Sequence, residues 1–369
     1  MRKNVWIIGI CIVCLLCGGY VLMNKNKANQ YAEDMQYFFD CVEENNLILE
    51  KIPSDEEKQK WIEKSLECES DKEFYQMLVN SLDLYGEGGH LSIISPGFYT
   101  NLEYSYETIP EIRERHSILS DQKVKDAYEG LMEELGIDKA ELMNQYKAQS
   151  TGELSNDFEI HEEDNMLVIK IPSFEARFIE PQIEEIKQKL STFAGNTLVI
   201  DIRENGGGSD TYWMDLVSLT SFKDYTYSKT ISGRGKLSKE YVESNVGKVT
   251  MQDDGKGFTY TSNNSIKSKH YRDFEKVYIL TSDKVFFASE NFVQFAKEQG
   301  YATLVGDTTG GAGGVIDPLM VELPNTHLLI RLESAARLPY NIEPDVVCRG
   351  YSLDEYINTI KKYEETRED

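Results

Sequence analysis

A chain of 369 residues, 40% hydrophobic and 28% charged, holds enough apolar material for one large or two smaller cores. Its formal net charge is −24, and Arg2, Lys3, Lys25 and Lys27 are the only charged residues among the first 27, so the remainder carries −28. A body this acidic repels the phosphates of DNA or RNA and an anionic membrane surface, which excludes nucleic acid as a partner.

Residues 5–23 contain no charge. As a helix they would span ~28 Å, close to the hydrocarbon core of a bilayer. A secretory signal peptide is the rival reading, but its apolar region is normally about 7–15 residues and ends at a small-residue cleavage site. Here Gly18-Gly19 runs on into Tyr-Val-Leu-Met, and Leu16 before Cys17 argues against lipoprotein cleavage. Residues 1–27 are therefore expected to form an uncleaved membrane anchor with the acidic body outside the cytoplasm, although both flanks are basic and bias the orientation only weakly. The body has three cysteines, Cys41, Cys68 and Cys348, an odd and irregular set that is no disulfide framework. A single Cys41–Cys68 bridge stays open. Neither the cysteines nor the five histidines are spaced to bind a metal, and no cofactor is expected.

Residues 28–150 read as a helical domain. Met35, Phe38, Phe39 and Val42, then Trp61, Ile62 and Leu66, then Phe74, Met77, Leu78 and Leu82 recur at three and four. Ser54 followed by Asp55, Glu56 and Glu57 predicts a capped helix start. Around residues 85–94 the pattern changes to a loop carrying His90 and a short strand.

The segment 151–352 reads as a second domain in which strands alternate with helices. Apolar runs at 167–171, 198–202, 277–281 and 303–305 flank helical spacings such as Ile179, Ile183, Ile186 and Leu190. That alternation predicts an α/β fold, a mostly parallel sheet with flanking helices on both faces. Residues 221–275 interrupt it with polar, Tyr-, Ser-, Lys- and Gly-rich sequence that is a hairpin, a lid or a solvated excursion, the last being the expectation adopted. Residues 353–369 predict a C-terminal helix and acidic tail.

The most specific run is Thr197-Leu-Val-Ile-Asp-Ile-Arg-Glu-Asn-Gly-Gly-Gly-Ser209. A strand of β-branched residues that enters three glycines turns where a side chain would obstruct. It is either a plain tight turn or a place where backbone N–H groups line a cleft and hold negative charge.

Taken with Ile171-Pro-Ser-Phe174, the run 277–290 and its helix, Gly306-Asp-Thr-Thr-Gly-Gly311, Leu323-Pro324 and Glu343-Pro-Asp-Val346, this motif resembles the carboxyl-terminal processing (tail-specific) protease family, with its tricorn-like and retinoid-binding relatives. The resemblance covers residues 166–348 and extends to His90. It implies a Clp-protease- and crotonase-like core, serine-type peptidase activity and a peptide or protein chain as partner. It also implies a nucleophilic Ser three residues before a Glu. In Val285-Phe-Phe-Ala-Ser-Glu290 the Glu keeps register and the nucleophile's position falls on Phe287. The general-base Lys of the processing proteases falls on Ala312. Tricorn-like members use a His instead, which makes His90 the candidate base; the alternative is a histidine that closes a turn. Glu343 matches the family's late acid, and the amides of Gly207, Gly208 and Ala288 match its oxyanion site.

Ser289 is the remaining candidate nucleophile. At 100° per residue it shares one apolar direction with Val285, Ala288, Phe292 and Ala296, so it is expected to face inward, with Phe287 turned toward the cleft beside the glycines. The expectation is a membrane-anchored, extracytoplasmic peptidase-fold protein with impaired chemistry, the alternative being a peptide-binding protein that never cleaves.

Overall fold

A computed structural model describes residues 26–86, 89–109, 113, 116–151, 157–311, 313, 317–338 and 341–368. The chain divides into two compact units. One comprises Met1–Gln149, Arg234–Tyr241 and Pro318–Ser334, and the other Ser150–Gly233, Val242–Asp317 and Ala335–Asp369. Residues 5–23, the expected anchor, lie outside the described residues. Among the described residues no helix is long and apolar enough to cross a membrane.

The first unit is mainly helical. A helix over 26–45 buries Tyr31, Met35, Phe38, Phe39 and Val42 at the spacing of one helix face. Ser54 and Glu57 form a reciprocal capping box on Asp55–Ser65, and Gly136 at φ 69° ends Gln122–Leu135 in the left-handed conformation that glycine adopts without strain. A three-stranded antiparallel sheet of Ser92–Ile93, Leu329–Leu332 and Leu319–Glu322 completes the unit. Leu329 and Ile330 enter the same core as Phe38 and Phe74. Cys41 and Cys68 are buried free thiols, so no bridge joins them. Burial pushes their pKa values up to about 12 and about 11, which keeps both in the unreactive protonated form.

The second unit holds a six-stranded sheet in the order Val346–Val347, Thr303–Gly306, Lys276–Thr281, Thr197–Asp201, Met166–Lys170, Glu159–Glu163. All neighbours run parallel except the last pair. Both faces are covered, as alternation along one strand demonstrates. Leu198 and Ile200 pack with Ile186, Trp213 and Phe292 of three helices, whereas Val199 packs with Tyr356, Ile357 and Ile360 of the C-terminal helix Leu353–Glu368. A strand buried on both faces needs an unbroken apolar run, and residues 198–200 supply it.

Residues 221–275 are not a solvated excursion. They contain two ten-residue strands, Tyr225–Arg234 and Gly257–Ile266, in a four-stranded sheet with Thr250–Met251 and Ala335–Ala336. Tyr225, Tyr227, Lys229 and Ile231 are buried, while Thr226, Ser228 and Thr230 are exposed. That is a two-residue period with polar residues on one face, which overall composition conceals.

Candidate functional site

The site of the second unit grows out of the strand Thr197–Asp201, whose five residues are all buried. Where the strand ends, Asp201 grips Arg203 through two bonds, Nε–Oδ1 at 2.9 Å and Nη2–Oδ2 at 2.7 Å, and the guanidinium lies 4.3 Å from the Tyr356 ring centre. Arg203 is thereby committed to structure. Asn205, fully buried, ties three segments together. Its Nδ2 donates to the carbonyl of Ile171 at 3.0 Å, its Oδ1 accepts from the amide of Gly207 at 2.8 Å, and its own carbonyl accepts from Ser289 Oγ at 2.6 Å.

The glycines that follow are demanded by close approach on two sides. Gly207 (φ 107°) lies against the helix-entry corner, where a Cβ would sit 2.8 Å from Phe286 O and 2.9 Å from Phe287 Cβ. Gly208 (φ 135°) lies against the main chain of Phe174 and Glu175. Neither position tolerates a side chain, so a plain tight turn does not account for the run.

That corner leads into the helix Ala288–Gln299. Phe287 occupies the N-cap position with φ 58° and ψ −117°, a conformation that strains a bulky residue by about 1–3 kcal/mol. Its amide donates to Gly311 O at 3.2 Å, and its half-buried ring packs on the sheet's core. Ser289 is fully buried and staples the corner to the glycine turn. Its Oγ accepts the Phe286 amide at 3.1 Å and lies 2.6 Å from Asn205 O and 2.7 Å from Phe286 O. Its one hydroxyl hydrogen is therefore held by main-chain carbonyls. The inward Ser289 agrees with helical periodicity, whereas Phe287, at the N-cap, lies outside the helical turns with its Cβ against Gly207.

Of the three amides expected to form an oxyanion site, that of Gly207 is already bound to Asn205 Oδ1 and closes the turn instead. The bridge between this turn and Phe174 uses the carbonyl of Gly207 and the amide of Ser209, leaving the Gly208 amide outside it. Ala288 is the first helical residue, whose amide has no acceptor within its own helix.

Ala312, the expected site of the lost lysine, lies outside the described residues, but its neighbours are held by Glu290. This buried carboxylate accepts from Thr309 Oγ1, from the Gly313 amide at 2.8 Å and from the Gly311 amide. Burial nevertheless outweighs these donors and pushes its pKa from 4.5 up to about 7. An acid whose folded pKa exceeds its unfolded one stabilises fully below the unfolded value, and that contribution disappears as pH rises through the folded value. Urea midpoints at pH 5 and pH 8 should therefore show wild type losing on the order of 3 kcal/mol relative to Glu290→Gln over that interval. A gap between the two proteins that does not change with pH would refute the assignment.

Sequence reasoning missed a polar patch under the same corner. Asp210 accepts from Asn291 Nδ2 at 3.1 Å and from Trp213 Nε1 at 2.9 Å, and Lys229 Nζ lies 3.7 Å from its Oδ2. Burial pushes the Lys229 ammonium below its usual range, with Asp210 opposing the shift. The detectable signal was the inward phase of Lys229 between Tyr227 and Ile231.

In the first unit, His90 follows Gly89 (φ 64°) and is almost fully buried. Its Nδ1 lies 2.5 Å from Oε2 of Glu333, a carboxylate only 1% exposed. Glu333 is fixed in turn: its amide donates to Asn46 Oδ1 at 2.6 Å, and its carbonyl accepts from the Leu47 amide at 2.8 Å. Glu343 is an exposed residue whose carbonyl accepts from Lys297 Nζ, and the acid bonded to His90 stands ten positions earlier. A carboxylate on Nδ1 is the arrangement that orients an imidazole for work at Nε2. Among the described residues, no three His, Cys, Asp or Glu side chains are grouped so as to hold a metal ion.

A buried strand, a glycine turn and a strained strand-to-helix corner that carries a phenyl ring thus define the site. Residues 165–341 match the model of peptidase family S41. Two solved structures share the fold over almost the whole chain. One is a candidate peptidase from Parabacteroides merdae ATCC 43184, at 16% identity and TM-score 0.55, covering 91% of this chain and 96% of that one. The other is a lipoprotein from Streptococcus agalactiae, at 15% identity and TM-score 0.50, covering 92% and 96%. The photosystem II D1 C-terminal processing protease aligns with 53% of this chain and 46% of its own, at 14% identity and TM-score 0.36. No curated protein matches the chain.

Proposed function

We propose that this protein is a membrane-anchored, extracytoplasmic member of the S41 peptidases that holds a peptide or protein chain without cleaving it. The observation that carries this reading is the corner itself. Phe287 has no group to attack a carbonyl, and the Ser289 hydroxyl is buried with its hydrogen held by main-chain carbonyls. In the serine protease subtilisin, loss of the nucleophile lowers turnover by about 10⁶ while the contribution of substrate binding persists. The amides of Gly208 and Ala288 would still receive a peptide carbonyl. Location outside the cytoplasm rests on the uncharged residues 5–23 and on a body of charge −28. The lipoprotein nature of the Streptococcus agalactiae relative is compatible with it.

The buried His90–Glu333 pair favours a second reading, hydrolysis through another nucleophile. One experiment separates the two. The full chain in detergent is exposed to a fluorophosphonate probe and to a fluorescent unstructured casein, beside Ser289→Ala. The expected result is casein binding with no labelling and no turnover. Labelling lost in Ser289→Ala would establish a peptidase, and absence of binding would remove the first reading.

A further inference from the structure

A cavity of about 350 Å³ lies in the first unit, far along the sequence from the glycine turn. Four elements build it: the first turns of the 26–45 helix, the first residue of the helix Asp71–Ser81, the start of Gln122–Leu135, and the turn at 325–327. The turn is rigid because the buried Asp34 accepts the amides of Asn325 and Thr326 at 2.9 and 2.8 Å and the Thr326 hydroxyl at 2.6 Å. His327 within it sits at φ 59° with Nδ1 2.5 Å from Glu322 Oε1. Strain of this kind is held only where the surroundings enforce it.

The charges around the cavity fall into two sets. Lys27 pairs with Asp71 at 3.3 Å, and Asp71 also accepts from Tyr31 Oη at 2.8 Å, so these three are mutually satisfied. Lys123 Nζ, by contrast, has no ion-pair partner among the described residues, and Asp126 accepts only from Gln122 Nε2. One turn apart on a single helix face, their Cβ atoms are about 5–6 Å from each other. A cation and an anion displayed side by side without pairing complement a ligand that carries both charges at a similar separation.

The position of the cavity narrows the choice. Lys27 stands four residues after Met23, the end of the uncharged segment. Those four residues cover ~6 Å if helical and at most ~13 Å if extended. The polar layer on each side of the hydrocarbon core is about 5–8 Å deep. We infer that this cavity binds the zwitterionic head group of a phospholipid, a phosphate ester bearing an amine, with Lys123 on the phosphate and Asp126 on the ammonium. The assignment to lipid rests on the membrane anchor proposed above. The remainder of so acidic a body would be repelled by anionic head groups, whereas a zwitterion escapes that repulsion.

The test titrates the full chain in detergent with O-phosphoethanolamine and measures hydrogen exchange of the chain in nanodiscs of phosphatidylethanolamine or phosphatidylglycerol. Lys123→Ala and Asp126→Asn should each weaken phosphoethanolamine binding at least tenfold, and Lys60→Ala, on a different helix, should leave it unchanged. Phosphatidylethanolamine discs should protect the amides of 122–127 and 325–327, and phosphatidylglycerol discs should not. No binding of phosphoethanolamine, or equal binding by Lys123→Ala, overturns the site. Binding of the free compound with no protection in either disc overturns the lipid source. A chain that a carbonate wash strips from membranes while it still binds phosphoethanolamine would remove the anchor and leave the pocket's chemistry standing.

Discussion

Gly208→Ala is expected to lower the stability of the protein by more than about 4–5 kcal/mol. The added Cβ would lie 2.3 Å from Phe174 C, 2.4 Å from Phe174 O and 2.6 Å from Glu175 N, all of them main-chain atoms that cannot rotate away. The position also has φ 135°, which side chains rarely adopt. Relief would require the turn to move off residue 174, breaking the bonds from Phe174 N to Gly207 O (2.9 Å) and from Ser209 N to Phe174 O (2.8 Å). Two buried hydrogen bonds and a backbone clash together exceed about 4–5 kcal/mol, a large share of the 5–15 kcal/mol that ordinarily holds a domain folded. Gly206→Ala is the control. Nothing lies within 4 Å of its added Cβ, and it should unfold within about 0.5 kcal/mol of wild type. Circular dichroism and urea titration of both variants decide the matter, and a wild-type midpoint for Gly208→Ala would refute this account of the turn.

Asn205→Ala should destabilise by about 3–5 kcal/mol. Removing the amide leaves the Ile171 carbonyl without its donor and the Gly207 amide without its acceptor, at a place where Asn205 itself has no exposure. Each buried group left unpaired costs about 1–3 kcal/mol, and the truncated side chain adds a void. Asn205→Asp should rescue little, because it keeps the acceptor but loses the donor and buries a charge. The measurement is the urea midpoint at a constant m value. A loss below about 1 kcal/mol would mean that water replaces both bonds and that Asn205 is no hub.

The two predictions concern one turn, and that turn was among the most legible parts of the chain. A run of apolar residues into three glycines implied both strand and close approach, and family resemblance placed Phe287 at the corner. Helical periodicity then turned Ser289 inward, because side-chain directions four residues apart are locked by local geometry. The parallel sheet was equally legible, since strands covered on both faces must be continuously apolar. The strands within 221–275 were not, because a half-polar strand announces itself only by its phase, and average polarity erases phase. The division of amides was also illegible. Whether Gly207 N–H is available depends on the rotamer of Asn205, which no pattern of residues encodes.

What the amino-acid order determined by itself is therefore short in range: the strand, the glycine turn and the helix behind it. Which acid meets His90 was decided only in three dimensions. Glu333 and Glu343 are equally eligible along the chain, 243 and 253 residues from His90. The strand Leu329–Leu332 pairs with Ser92–Ile93 and draws Glu333 to the histidine, whereas Glu343 follows outside that sheet. Separation in sequence beyond a few turns carries no information about distance, and only the pairing of strands supplies it.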